Sequence, residues 1–519
     1  PTFAGGLLTN TNQHVAFNRM MSREASIGID GVYYNPAGVV FMGEGHHLAI
    51  NWQLAYQTRT INNDYKLFTN NVNNPITPRD FKGKAFAPVI PSFQYAYNKG
   101  KWSFQANFSL TGGGGKCTFD DGLGSFEKIV SETAIAACGL AGVVDQTLGN
   151  ALGQQGMEMF TSDQAFGKTG KYSFNSYMHG RQYYYGLSAG AAYKFCDNFS
   201  AFLGVRGVYA LTNYYGYVEN INVGNMPLYK VLDPTKENAA NIELSCDQTG
   251  VGFTPIIGVD YKTGRWNFSA KYEFKTRIRL KNKSVNQTPS IGNLPANLAN
   301  QMTGILTARY QQAGLPLEQA KQQAENTTNA VLNDPTVGAT MMGLKTQFDQ
   351  KLNKAIGEYE DGKKIAGDIP GYLALGIGYS PVDAVRVNVG FHWFDDKNAT
   401  SYNNRNKELK RGTLEYNAGV EVDVNKKITL STGWQNTNYG LSDEYMDDKS
   451  FVVGSNSAAI GGVYHINKKM DLNVAYFHTF YQHKKTSETV QLAADKSIVY
   501  NSDYTRNNNV FAVGLDINF

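Results

Sequence analysis

The sequence contains no uninterrupted apolar run that approaches the ~18 residues a membrane-spanning helix needs. Its mean hydropathy of −0.37 also excludes a helical membrane protein. Charged residues are scarce, at 18% of the chain against the usual roughly 25%. The net charge of +4 is small and its charges are dispersed, so we expect no nucleic-acid partner.

Proline and cysteine are rare as well, with 15 and 4 residues in a chain of 519. The cysteine spacing matches no metal-binding motif, and we expect neither a metal nor another cofactor. Cys117, Cys138 and Cys246 fall in predicted loops at one end of the molecule, whereas Cys196 falls in a predicted turn at the other end. We therefore expect at most one disulfide, among the first three.

Glycine and aromatic residues are abundant instead, with 53 Gly, 32 Tyr and 28 Phe. This composition suits a transmembrane β-barrel, in which only every second residue of a strand meets lipid. A secreted, soluble all-β protein has a similar composition, so composition alone does not separate the two. The chain opens on Pro1 and not on Met, and we expect that a signal peptide has been removed.

Strict alternation of apolar and polar residues marks several segments as β-strands. From Val385 to Trp393 every second residue is apolar, and Arg386 and His392 lie on the opposite face. Charge on that opposite face indicates a polar lumen and not the core of a β-sandwich. The other two clearest segments are 266–274 and 414–424.

The whole chain after residue 43 divides into about fourteen such strands, joined alternately by tight turns and long polar connections. Short turns on one side and long loops on the other are typical of outer-membrane barrels. The chain also ends on a strand whose last residue is Phe519, as such barrels commonly do. The predicted strands are 45–60, 85–98, 102–112, 179–196, 199–217, 249–262, 266–281, 371–380, 385–397, 413–424, 428–440, 456–466, 470–484 and 508–519.

We therefore predict an all-β fold, a transmembrane antiparallel barrel occupying residues 44–519. Its longest extracellular loops lie near 113–178 and 282–370. Within them, segments 124–160 and 294–356 carry apolar residues at helical spacing. Loops of this length are usually functional, so we expect folded helical lids.

Residues 1–43 precede the first strand and follow neither a helical nor a strand period throughout. A barrel of about fourteen strands encloses a lumen too wide for wall side chains alone to fill. This segment is long enough to fold inside it as a hatch, and Arg23, Glu24 and Asp30 are expected to pair with charged residues of the lumen wall. A disordered N-terminal arm is the alternative.

Taken in order, several short motifs make the chain resemble the FadL family of outer-membrane channels for long-chain fatty acids and other hydrophobic compounds. Asn35, Pro36 and Ala37, which follow Asp30 and precede the first strand, are similar to the hatch motif of that family. The other matching segments are the Gly-rich strand 249–261, its basic successor 274–280, and Ile369-Pro370.

The resemblance implies a fourteen-stranded barrel with an N-terminal hatch, a hydrophobic ligand site beneath the extracellular loops, and exit through a gap in the wall. The family places that gap where the third strand bends inward. Here the third strand runs into four consecutive glycines, Gly112, Gly113, Gly114 and Gly115. Glycine weakens strand pairing and admits a bend; the alternative is that these glycines merely begin the loop.

The predicted function is passive uptake of hydrophobic small molecules such as long-chain fatty acids by a monomer in the bacterial outer membrane. Its partners would be the ligand, which is a fatty acid, a detergent or a lipid tail, and the surrounding membrane lipid. Apolar hatch residues are expected to meet the ligand tail, and three basic residues of the seventh strand are expected to meet a carboxylate. These candidates are Phe3, Leu7, Leu8, Phe17, Lys275, Arg277 and Arg279.

Two other transport functions stay open. A general diffusion porin would have an open polar lumen, and a receptor for haem or another large ligand would use His or Tyr residues such as His179 and Tyr183 to Tyr185. An enzyme is not expected, because residues 186–190 match the nucleophile-elbow pattern but continue as a strand. Residues 112–117 lack the Ser or Thr of a phosphate-binding loop.

Overall fold

The computed structural model describes residues 6–289, 291–493 and 496–519. In these residues, fourteen antiparallel strands form one closed barrel in which each strand pairs with its sequence neighbours. The barrel strands are β1 Gly45–Tyr65, β2 Arg79–Lys99, β3 Trp102–Phe119, β4 Tyr172–Cys196, β5 Phe199–Val223, β6 Ile242–Thr263, β7 Trp266–Glu273, β8 Tyr372–Val382, β9 Val385–Phe394, β10 Thr413–Asn425, β11 Ile428–Asn438, β12 Ser455–Asn467, β13 Met470–Tyr481 and β14 Lys496–Asn518.

The barrel closes between its first and last strands. β1 pairs with β14 without interruption from His47 opposite Asn518 to Tyr65 opposite Tyr500. Closure pairs the backbone of both strands that would otherwise be sheet edges. The predicted fourteen-stranded antiparallel barrel is thus confirmed.

Several predicted strand ends are wrong, because the ladders continue beyond the membrane-facing part of the wall. β3 was expected to end at residue 112 but runs to Phe119, paired with β4. The expected single strand 266–281 is divided, since β7 ends at Glu273 and a separate strand follows. The strands outside the ring of fourteen are Met226–Pro227, Arg279–Gln287, Lys364–Ala366 and Lys484–Ala493.

Tight turns and long connections lie at opposite ends of the barrel. Six hairpins close with two residues between strands, and the first of them is Gly100-Lys101 between β2 and β3. The long connections carry helices. The helices of the chain are α1 Val15–Met20, α2 Gly31–Tyr34, α3 Gly124–Leu152, α4 Tyr229–Leu232, α5 Leu294–Gln312, α6 Leu317–Leu332 and α7 Pro335–Ile356, with 3₁₀ turns at Gly38–Phe41, Lys66–Asn70, Ile291–Asn293, Gly357–Tyr359, Asp396–Asn398 and Tyr402–Glu408.

The outer surface of the wall carries an apolar band, as a membrane barrel does. On β6 the exposed residues from Val251 to Tyr261 are apolar at every second position, and Thr254 and Asp260 between them are buried toward the lumen. Aromatic rings border this band near the tight turns, where Trp266 and Tyr379 lie 4.3 Å apart. Period-2 alternation therefore separates a lipid face from a polar lumen face.

The segment before β1 lies inside the lumen. Every residue of α1 is buried, and His14 caps its first turn by accepting a hydrogen bond from the backbone N–H of Ala16. The ring of Phe17 stacks on that of Tyr34 at 5.3 Å between centroids, which joins α1 to α2. The described residues 6–43 therefore do not form the disordered arm that was the alternative to a hatch.

Glycines in the wall let α1 approach it closely. At Gly419 on β10 and Gly433 on β11, an added Cβ would overlap the carbonyl oxygen of Met20, the last residue of α1. Only the absence of a side chain at both positions allows the helix end to lie against the strands.

The loop helices form a second apolar core above the barrel. It contains residues of α3, α4, α5, α6 and α7 together with the ends of β4 and β5. α3 is long and apolar enough to cross a membrane, but half of its most apolar stretch is buried against these neighbours. All four cysteines are free thiols, so none of the bridges allowed by the sequence is formed.

Replacing Gly433 by Val should displace the hatch, because overpacking against Met20 costs about 1–3 kcal/mol. Tryptic cleavage after Arg19 and Arg23, which are both buried in the hatch, should accelerate at least about fivefold, as expected when proteolysis follows the population of an open form. Mass spectrometry of the released N-terminal fragments measures it. Gly207→Val is the control, because a Cβ there has only ordinary contacts; equal cleavage of both variants would contradict the close approach of α1 to the wall.

Candidate functional site

An apolar cavity lies among the loop helices, on the side of the barrel away from the tight turns. It contains about 830 Å³ of empty space, part of it open to solvent. A second cavity of about 620 Å³ shares Ile129, Val130 and Ile242 with the first and extends toward Tyr359 and Lys449. Their apolar lining is that of a site for an apolar small molecule.

The repeat of apolar residues along α3 builds one wall of this cavity. Val130, Ala137, Ala141 and Val144 line it, and their spacing of seven, four and three places them on one face of the helix. The side chains that face them come from α4, α5 and α7. The remaining lining residues on those elements are Leu228, Val231, Leu232, Leu294, Leu298, Leu344 and Phe348.

One cation and two carboxyl groups lie at the end of the second cavity. The Nζ of Lys449 donates to the carbonyl oxygen of Ala355 at 3.2 Å. Burial raises the pKa of Glu358 although Lys449 acts to lower it. Burial also acts to raise the pKa of Asp447, but Lys449 and Arg405 hold it below its usual value. Lys449 is thus the one lysine or arginine among the described residues that line the second cavity.

Buried ion pairs attach the hatch to the lumen wall. The guanidinium of Arg23 lies 2.7 Å from Asp30 within the hatch and 3.5 Å from Glu421 on β10. Arg19 also contacts Glu421, and Arg386 approaches it at 2.8 Å from β9. Removing one member of such a buried set leaves the other charges buried without a partner, which lowers the free energy of unfolding by about 3–5 kcal/mol.

A second buried set lies beside the first. His392 on β9 is 2.8 Å from Glu24 of the hatch through Nε2 and 2.8 Å from Glu415 on β10 through Nδ1. Arg23 and Glu24 thus pair with charged residues of the wall, as expected, whereas the partner of Asp30 is Arg23 of the hatch itself. The position of these pairs fixes one orientation of the hatch in the lumen.

The residues Asn35, Pro36 and Ala37 form hydrogen bonds to three different wall strands. The side chain of Asn35 also accepts from the backbone N–H of Gly38 at 3.2 Å, which tightens the turn before the 3₁₀ segment. Each of the three wall contacts uses a polar lumen-facing side chain. They are Asn35 Nδ2 to Asp260 Oδ2 at 2.6 Å, Gln105 Nε2 to the Pro36 carbonyl at 2.7 Å, and Ser200 Oγ to the Ala37 carbonyl at 2.7 Å.

The wall has a gap between β2 and β3. Their ladder stops after Phe86 opposite Lys116 and resumes only at Phe93 opposite Phe108. In the unpaired part of β2, Pro88 and Pro91 have no backbone N–H to donate. Backbone polar groups on both edges of this gap must therefore find other partners.

The glycines of β3 bend that strand at the gap while it stays paired with β4. Two bulges leave Thr111 and Gly114 as extra residues opposite the β4 ladder. Gly113 and Gly114 have φ values of 72° and 121°, which side-chain-bearing residues rarely adopt. Bulges bend the strand that carries them, so β3 departs here from the line of β2.

The N-terminal segment of the hatch occupies the inner side of this gap. The backbone N–H of Asn10 donates to the carbonyl of Thr111 at 2.9 Å. The side-chain amide of Gln13 donates to the carbonyl of Leu110 on β3 at 2.8 Å. The backbone carbonyl of Gln13 accepts from the hydroxyl of Ser92 on β2 at 2.7 Å. Gln13 thus bridges both edges of the gap.

The apolar ligand candidates of the hatch lie in two different environments. Leu8 packs on an apolar cluster of the lumen wall that includes Ile278 and Leu280, beside the gap. Leu7 is half-buried next to it, and Phe17 is fully buried in the stack on Tyr34. Phe3 lies outside the described residues. Leu7 and Leu8 thus remain candidates, whereas Phe17 belongs to the interior of the hatch.

The three basic candidates, which were expected to meet a ligand carboxylate, lie on the outer face of the wall. Lys271 and Glu273 are buried inward, but the next inward residues are Thr276 and Ile278. One extra residue at the end of β7 reverses the alternation, because a one-residue slip exchanges the two faces. Lys275, Arg277 and Arg279 therefore do not point at a ligand in the lumen, and Arg279 pairs with Asp368 at 2.8 Å.

Sequence reasoning did not find Asn10, Gln13 and Ser92, which close the gap, nor Lys449 at the cavity. Short polar residues in an irregular segment carry no pattern that distinguishes them. The prolines of β2 are a signal that was available, since proline inside a strand indicates an edge or a bulge. Pro88 and Pro91 mark the edge that faces the four glycines.

The arrangement defines a class of protein: a closed fourteen-stranded barrel with an N-terminal hatch in its lumen. Solved structures with this architecture include a Pseudomonas aeruginosa FadL homologue, at 13% identity and TM-score 0.59, covering 99% of this chain and 100% of that one. The Pseudomonas putida toluene transporter TodX matches at 13% identity and TM-score 0.50, with 99% and 100% covered. The chain therefore has the FadL-family fold. No protein-family model and no curated protein matches the sequence.

Replacing Gly113 by Val should destabilise the protein more than the same change at Gly100, which also has a positive φ, of 59°. Both changes cost about 1–2 kcal/mol for the left-handed backbone. A Cβ at Gly113 would in addition overlap the carbonyl of Gln182, whereas nothing lies within 4 Å of Gly100, and overpacking adds about 1–3 kcal/mol. Thermal unfolding in detergent, followed by circular dichroism, compares them; equal midpoints would show that the bend is loosely packed.

Proposed function

We propose that the protein is an outer-membrane channel for the passive uptake of hydrophobic small molecules, long-chain fatty acids among them. The observation that carries the proposal is the nearly all-apolar cavity beneath the loop helices, above a barrel whose lumen holds a hatch. Each CH₂ group that moves from water into such a cavity gains about 0.8 kcal/mol. The cavity would therefore concentrate an apolar ligand at the cell surface.

The buried hatch supports a selective channel over a general diffusion porin. The described part of the hatch fills the lumen with buried residues from Thr9 to Ala25 and makes paired charges with several wall strands. An open polar pore would have water-exposed charges along its wall. We infer that small polar solutes do not pass by free diffusion.

The gap between β2 and β3 supports lateral release into the membrane. The outer face beside it is apolar and exposed at Phe86, Val89 and Phe93. A ligand that leaves through the gap would thus pass directly from apolar lumen residues such as Leu8 and Leu110 to hydrocarbon. Opening would require that the hatch contacts to β3 break, among them the hydrogen bonds of Asn10 and Gln13 and the bridge from Thr9 to Gly112, because the β2 and β3 edges do not pair there.

The haem alternative has no support from His179, one of the residues that suggested it. Both ring nitrogens of His179 are engaged, by Tyr177 and by Asn213. His179 and Arg181 alternate along β4 with the lumen-facing Met178 and Tyr184, which places them on the outer face.

We also propose that the protein acts as a monomer, since a closed barrel presents no free strand edge to a second copy.

Replacing Ala141 by Phe should fill the loop cavity and weaken capture, because Ala141 is buried and lines it. We expect the dissociation constant for the neutral fluorescent probe N-phenyl-1-naphthylamine to rise at least tenfold in purified protein. Ala151→Phe is the matched control, since Ala151 is exposed on the same helix. Unchanged binding in the Ala141 variant would place capture elsewhere.

Deleting Thr111 and Gly114 together should block release. These are the two extra residues of β3 against β4, so their removal restores a continuous ladder and straightens the strand. Uptake of radiolabelled oleate by cells should fall at least tenfold while probe binding to the loop cavity stays unchanged. Deletion of Val424, an extra residue beside a tight turn, is the control. Full uptake by the double deletion would rule out lateral release at this gap.

A further inference from the structure

Three cations lie together on the outer face of the wall at the upper end of the gap between β2 and β3. Lys116 belongs to the last paired row above the gap, opposite Phe86 on β2 and opposite Arg181 on β4. Lys84 lies two residues beyond Phe86 on the same face of β2. Lys84 and Lys116 are exposed, and Arg181 is half-buried. We call Lys84, Lys116 and Arg181 the lip cluster.

The charges of the lip cluster are not neutralised by the protein. Lys116 and Arg181 are directly opposite each other in the ladder, and like charges in that position are destabilising. Among the described residues, no carboxylate lies within 4 Å of any of the three. Asp80, on the same face of β2, is already paired with Lys82 at 3.4 Å and accepts from Asn62.

Arg181 also has an unused donor. Its Nε is buried and has no hydrogen-bond partner among the described residues. A buried N–H without a partner costs about 1–3 kcal/mol, and a guanidinium offers several donors in a plane that matches the oxygens of a phosphate. The cluster therefore presents unpaired positive charge together with unsatisfied hydrogen-bonding capacity.

The height of the lip cluster in the wall indicates which group outside the protein neutralises its positive charge. Lys84 precedes Tyr95 on the outer face of β2 by eleven residues, or about 28 Å along the barrel axis at a typical strand rise and tilt. The exposed residues between them are apolar, namely Phe86, Val89 and Phe93. Because a membrane barrel carries an apolar band of about 25 Å, the lip cluster lies at the level of the lipid headgroups on the loop side.

We propose that the lip cluster binds the phosphate headgroup of an anionic membrane lipid, whose acyl chains then lie over Phe86 and Val89 and cover the gap from outside. Cations at headgroup level attract anionic lipids, and the apolar residues directly below accept the chains. The gap would thus be closed on both sides, by the hatch from within and by a lipid from without. The inference rests on the membrane placement in the proposed function but not on transport.

Native mass spectrometry of the full chain in a nonionic detergent tests this, with dioctanoyl phosphatidic acid as the probe. We expect the first lipid to bind at least tenfold more weakly to the variant Lys84→Gln, Lys116→Gln, Arg181→Gln than to the unchanged protein. The control variant Lys426→Gln, Lys427→Gln, Lys468→Gln loses the same charge at exposed residues of two tight turns and should bind like the unchanged protein.

Two further probes separate a lipid site from a site for any phosphate. Dioctanoyl phosphatidylcholine should not distinguish the variants, and glycerol 3-phosphate, which has the headgroup without chains, should bind far more weakly than the lipid. Equal binding of phosphatidic acid to the lip variant and the unchanged protein would overturn the proposal. So would binding of glycerol 3-phosphate as tight as that of the lipid.

Separate controls test whether the substitutions affect folding or ligand capture. The lip variant removes three positive charges, two of which face each other in the ladder. Its thermal midpoint in lipid-free detergent should therefore not fall below that of the unchanged protein. The Ala141→Phe variant should bind phosphatidic acid normally whatever its effect on capture. A lip variant that unfolds early would show that the three cations stabilise the wall themselves, which would contradict an unfilled site.

Discussion

The need to pair every backbone N–H and C=O in hydrocarbon governs this structure. It requires a closed ring of strands, and fourteen strands enclose a lumen that wall side chains alone do not fill. The hatch follows from that width, and the polar lumen face follows from the hatch, because its charged residues need partners such as Glu421 and His392. Buried pairs of this kind specify one arrangement strictly, since each partner left alone is costly.

The gap between β2 and β3 interrupts the ladder that joins two neighbouring strands of the barrel. The gap persists because the backbone groups at its edges do not need each other as partners. Pro88 and Pro91 of β2 have no N–H to donate. Asn10 and Gln13 of the hatch donate to carbonyls of β3, and Gln13 also accepts from Ser92 of β2. Wall and hatch are therefore not independent parts, and displacement of the N-terminal segment would expose both edges. The same segment carries Leu8 into the apolar cluster beside the gap.

Much of the fold could be predicted from local patterns. Alternation located all fourteen strands, because one face meets lipid and the other a polar lumen, and the tight turns separated the two ends. The four glycines of β3 indicated where a strand would bend. The faces of Lys275, Arg277 and Arg279 could not be predicted, because one extra residue after Glu273 reverses the alternation and no residue type marks it. Gln13 escaped notice for a related reason, since its partners lie on β2 and β3, about eighty to a hundred residues away.

By itself the sequence determined the barrel, the number of its strands and the presence of a segment to fill the lumen. These depend on period, turn chemistry and chain length, which are local properties. Only the tertiary structure decided which hatch residues close the gap, which charges pair across the lumen, and how the loop helices assemble an apolar cavity from α3, α4, α5 and α7. Those features are contacts between residues far apart in the chain, and the energy of such a contact depends on a geometry that the closed barrel alone supplies.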